Sequence, residues 1–85
     1  MSMNIAQLEQ AWLEAETAAD AAKREAVRAS EELARRNLKV VDAAEIKVLM
    51  SNVEQAKQRR DEAEQIASAA FDQLWQAKGQ WSVHA

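Results

Sequence analysis

The sequence predicts an all-α protein: an antiparallel two-helix coiled-coil hairpin with an alanine-rich seam, pairing with a second copy into a four-helix bundle. Three observations predict it. The 85 residues contain no proline and one glycine, Gly79, so sheet-type turn chemistry is missing, while Ala, Glu, Gln, Lys and Arg favour long helices. Apolar residues recur in two long runs that alternate steps of three and four. The two runs are out of phase, and signals that end one helix and start another lie between them.

The first helix is expected over about residues 4–36. Its opening "NIAQ" places Asn4 as N-cap and Gln7 three residues on, the spacing of a capping box. Its seam is Ile5, Leu8, Trp12, Ala15, Ala19, Ala22, Ala26, Ala29 and Leu33. The turn is expected over 37–41. Asn37 tolerates the left-handed conformation that ends helices, and Val40 and Val41 are β-branched.

The second helix is expected over about 42–79, opened by a second capping box, "DAAE", with Asp42 and Glu45. Its seam is Ile46, Leu49, Val53, Ala56, Arg60, Ala63, Ala67, Ala70, Leu74, Ala77 and Trp81, with Arg60 the one non-apolar member. Arg60 is expected to pack its stem over alanine and carry its head to Glu64. A further start signal, "SNVE" at 51–54, raises the alternative of a kink near Ser51. Residues 80–85 are read as a short tail, and the whole chain as one hairpin domain.

Doubling back near residue 41 sets Trp12 opposite Ala70, Leu8 opposite Leu74 and Leu33 opposite Leu49, with alanine facing alanine between. Small residues let the two backbones approach toward the short end of the roughly 8–10 Å range. The penalty is energetic, because alanine buries about one methyl group, near 0.8 kcal/mol, against about 1.5–3 for leucine. Such a core is expected to be weak in a single hairpin. Leu13, Val27, Leu38, Val48, Met50, Ile66, Phe71 and Trp75 lie off the seam, a surplus that self-association or a partner would cover.

Charge and aromatics are distributed unevenly. Residues 4–20 hold Glu9, Glu14, Glu16 and Asp20, and residues 61–77 hold Asp61, Glu62, Glu64 and Asp72, with no base in either stretch. The hairpin brings these stretches together at its open end, beside Trp12, Phe71 and Trp75. Residues 23–60 carry ten bases and six acids, and the whole chain has net charge −3. Phe71 and Trp75 form an i,i+4 pair beside the seam, and aromatics of this kind are common anchors of interfaces. Glu9, Glu14, Glu16, Asp20, Asp61, Glu62, Glu64, Phe71, Asp72 and Trp75 are therefore the expected partner-binding residues.

Catalytic chemistry is not expected. There is no cysteine or tyrosine, and the single histidine, His84, is next to last. One glycine cannot build a phosphate loop, and no Glu-x-x-His pair exists for a metal bundle. No cofactor or metal is expected. No basic leader or membrane-length apolar run is present, so a cytoplasmic protein is expected. The acids beside Phe71 and Trp75 lead to the expectation of a small acidic inhibitor or modulator that docks on the basic, nucleic-acid-binding surface of a partner protein; an origin in phages or mobile elements is expected of that class of protein and is not read from these residues. An oligomeric scaffold or chaperone-like coiled coil is the alternative. A dimeric RNA-binding bundle using Arg35, Arg36, Lys39, Lys57, Arg59 and Arg60 is a second one, and direct nucleic-acid binding is disfavoured by the interleaved acids.

Overall fold

Two helices account for nearly all of the described backbone. The structure, a computed structural model, describes residues 3–36 and 42–83, with side chains through Gly79. Helix α1 spans Ile5–Arg35 and helix α2 spans Ala43–Val83. They pack along their length as a hairpin. Asn37, Leu38, Lys39, Val40 and Val41, read as the turn, lie outside the described residues, as does His84.

Local chemistry explains the ends. The α1 box is closed in both directions: Gln7 N–H donates to Asn4 Oδ1 at 2.8 Å, and Asn4 N–H donates to Gln7 Oε1 at 3.0 Å. At the start of α2, Glu45 N–H donates to Asp42 Oδ1 at 2.8 Å. The Glu45 carboxylate meets Arg36 Nη1 at 3.2 Å, tying the last residue before the turn to the first turn of α2. Arg36 is the C-cap of α1 in extended backbone, its N–H donating to the Leu33 carbonyl at 3.2 Å.

One boundary differs from the sequence expectation, and the alternative of a kink at Ser51 is not realised. Helix α2 does not stop at 79 but continues to Val83, so most of the expected tail is helical. Gly79 does not take a positive φ, so it extends the helix at a cost of about 1 kcal/mol instead of ending it. There is also no break at Ser51. Leu49 and Val53 both stay on the inner face, and Ser51 Oγ accepts a hydrogen bond from Gln55 Nε2 at 3.3 Å within a continuous helix.

The core is one line of side chains. Leu8, Ala19, Ala26, Leu49, Ala56, Ala67 and Leu74 are buried. The other seam residues from Ile5 to Leu33 and from Ile46 to Ala77, Arg60 included, are half-buried. Four of the seven buried residues are alanines, so most of the core contributes at the one-methyl level. Leucines at both ends, Leu8 with Leu74 and Leu49 near the turn, supply the larger increments. The chain measures 66 × 19 × 16 Å, close to the length of α2 alone. Its radius of gyration is 19.0 Å, where a compact domain of this length would have about 12 Å. Ion pairs tie the antiparallel arrangement along this rod, from Arg36–Glu45 near the turn, through Lys23–Glu64, to Lys78–Glu9 at the open end.

Candidate docking site

The aromatic residues of the open end form a continuous row. Trp12 and Phe71 meet across the seam with ring centroids 5.8 Å apart and planes tilted by 55°. Phe71 and Trp75 stack within α2 at 6.2 Å and 18°. Both separations lie in the range where aromatic pairs attract beyond simple burial. Exposure rises outward along the row: Trp12 is half-buried, Phe71 is 44% exposed and Trp75 is 67% exposed. The indole N–H of Trp12 is buried without an acceptor. The side chain of Trp81 lies outside the described residues.

A groove runs from this row toward the turn along one flank of the hairpin. Its open-end part, about 290 Å³, is lined by Trp12, Glu16, Ala19, Ser68 and Phe71 together with Lys23 and Glu64. Its turn-side part, about 720 Å³, is lined by Ala26, Val27, Ala34, Lys57 and Arg60, again with Lys23 and Glu64. The Lys23–Glu64 pair, 3.7 Å apart, bridges the helices where the two parts meet. The groove floor is therefore the alanine seam itself. Small residues on the seam leave the trough between the two backbones shallowly filled.

The acids surround the row unevenly, and three are neutralised. Glu9 meets Lys78 at 3.1 Å, Glu64 meets Lys23 at 3.7 Å, and Asp61 meets Arg60 at 3.0 Å. The sequence windows excluded these lysines because Lys23 and Lys78 sit just beyond the base-free stretches. Arg60 was expected to reach Glu64. Instead its Nε and Nη2 donate to Asp61 Oδ1 at 3.1 and 3.0 Å, and Glu64 meets Lys23 from α1. Among the described residues, Glu14, Glu16, Asp20, Glu62 and Asp72 have no ion pair. Glu14 and Glu62 accept hydrogen bonds from Gln10 and Gln58 at 3.1 and 3.3 Å. Glu16 lines the groove. By heptad position Asp20 shares that flank, whereas Glu14 and Glu62 fall on the opposite one and Asp72 on the outer face. The structure thus gathers Glu16 with Trp12 and Phe71, and Phe71 with Trp75, leaving Asp20 farther along the same flank, and does not gather all eight acids.

The bases toward the turn are largely occupied. Arg35 pairs with Glu31 at 3.5 Å, Arg36 with Glu32 at 3.0 Å and with Glu45, and Arg59 with Glu25 at 3.9 Å. All these pairs are exposed and contribute at most about 1 kcal/mol each. They nonetheless lower the positive potential that phosphate recognition requires. Among the described residues there is no group of three or more side chains that could hold a metal ion. Among the described residues no helix is long and apolar enough to cross a membrane. No family model, no curated protein and no solved structure matches the chain.

Proposed function

We propose that the protein is a non-catalytic interaction module that docks on a basic surface of a partner protein through the open-end groove. One observation carries the proposal: the exposed Phe71–Trp75 stack adjoins a groove lined by Glu16, which has no ion pair among the described residues. An exposed aromatic pair supplies apolar contact area, and neighbouring carboxylates select a cationic partner and speed encounter. The concrete form is a small acidic inhibitor or modulator, of the phage or mobile-element kind, covering a nucleic-acid-binding surface. A cytoplasmic site of action and self-pairing into a four-helix bundle belong to the same proposal. The weak alanine core favours the bundle, because a second hairpin would add apolar burial that one hairpin lacks.

Capture from the native host's lysate on immobilised protein tests the docking reading. A specific protein should be retained by the parent chain, lost with Trp75→Ala, weakened by Glu16→Gln with Asp20→Asn, and eluted by moderate salt. Equal capture by the parent and both variants would remove the groove as the docking site.

A further inference from the structure

We infer that the grooved flank is closed by a second copy of the chain, laid antiparallel and related by a two-fold axis perpendicular to the rod, and that this pairing competes with partner docking. The competition rests on the docking reading given above; the pairing does not.

The flank carries large apolar side chains outside the seam, spaced among charged ones. Leu13 and Val27 occupy one heptad position of α1 with Asp20 between them, and Met50 and Phe71 occupy one heptad position of α2 with Lys57 and Glu64 between them. Trp75 stacks on Phe71. All five apolar residues are 44–67% exposed. Large apolar side chains exposed beside a seam are a surface that a further helix can cover. The opposite flank differs: its groove is lined by Glu25, Arg28, Asn52, Gln55 and Arg59 around the alanines of the seam.

Area and charge name the occupant. The chain exposes 6719 Å², about 1,700 Å² more than the roughly 5,000 Å² of a compact monomer of this mass. A standard interface removes about 800 Å² from each partner, so one self-paired flank fits well within that excess. On this flank Glu16 and Asp20, toward the open end, have no ion pair among the described residues, and neither does Lys57, which lines the trough toward the turn. Parallel copies would set these carboxylates on one another. An antiparallel two-fold sets them toward the other copy's Lys57 end and brings Phe71 and Trp75 over the Val27 trough. That trough is the wider part of the groove, about 720 Å³. The contact is isologous and closed, so it stops at two copies. It also covers Trp75 and Glu16, so a docked partner and a second copy exclude one another.

Sedimentation equilibrium of the full chain tests the pairing. A dimer is expected whose dissociation constant rises at least tenfold with Val27→Glu and with Trp75→Ala, and changes less than threefold with Ile66→Glu on the other flank. Circular dichroism of each variant should show unchanged helix content, since all three positions are exposed. Because the chain lacks cysteine, a Ser51→Cys variant takes one spin label per copy. Labels on the two copies should lie beyond about 40 Å when antiparallel, at 1.5 Å per residue of offset, and within about 20 Å when parallel. A monomer at all concentrations, loss of pairing with Ile66→Glu but not Val27→Glu, or the short label distance would each overturn the inference. If pairing behaves as expected but lysate capture is unaffected by Trp75→Ala, the docking reading and the competition fall and the dimer stands.

Discussion

The two flanks of the hairpin are built on the same seam and share its alanines, yet they present different chemistry. On the grooved flank, Leu13, Val27, Met50, Phe71 and Trp75 stand exposed, with Val27 lining the turn-side trough and Phe71 the open-end one. On the other, charged and amide side chains cover the seam, and Ile66 and Val48 are its only large exposed apolar residues among those described. The seam decides that two helices pair. The residues one heptad position outside it decide what the pair then does. An alanine seam sharpens this division, because it buries too little to stabilise a hairpin strongly while leaving a trough for larger side chains from elsewhere.

The comparison is broken most completely by removing the common seam. Leu74→Ala should cost about 2–5 kcal/mol in chemical denaturation, because a leucine in a thin core cannot be replaced by collapse of its neighbours. Helices α1 and α2, and with them both flanks, should then unfold in one transition at lower denaturant. Unchanged stability would show that the hairpin does not depend on this thin seam. Overpacking acts in the same place: Ala56→Leu, at a position 2% exposed, should cost about 1–3 kcal/mol by forcing the helices apart. Unchanged stability would mean that the backbones are not held as close as alanine permits.

Smaller changes separate end effects from flank effects. Asn4→Ala removes the reciprocal cap of α1 and should cost about 1 kcal/mol, seen as a lower urea midpoint with no change in self-association. Gly79→Ala should stabilise by about 0.5–1 kcal/mol, since an added Cβ meets nothing within 4 Å and the backbone is already helical. The smallest effects belong to the bridges. Lys23→Ala on the grooved flank and Arg59→Ala on the polar flank should each change monomer stability by less than about 1 kcal/mol. A loss of several kcal/mol from either would assign the hairpin's stability to electrostatics, against the packing described.

Much of this architecture was legible from spacing. Positions three and four apart fall on one helical face whatever the side chains are, so the seam from Ile5 to Leu33 and from Ile46 to Ala77 could be read without coordinates. Each of those residues is buried or half-buried. The Asn4 box was legible for the same reason, since it is a local contact between residues three apart. What the sequence left open depends on flexible side chains and on which flank a residue faces. Helix spacing favours Glu64, four residues on, as the partner of Arg60, yet its long guanidinium side chain turns to the adjacent Asp61 and Glu64 meets Lys23 of the other helix. Counting acids in windows missed Lys23 and Lys78, because the hairpin offsets partners along the rod. The split of the acids between flanks was also missed. The heptad spacing of Leu13 with Val27, and of Met50 with Phe71, was the available signal for the grooved flank.

Hydroxyl-radical footprinting read by mass spectrometry, from dilute to concentrated protein, tests the difference between the flanks most directly. The account predicts that Leu13, Val27, Met50 and Trp75 lose reactivity together as copies associate, while Val48 and Ile66 stay as reactive as in dilute solution. Equal protection on both flanks, or protection of Ile66 with Val27 still reactive, would contradict it.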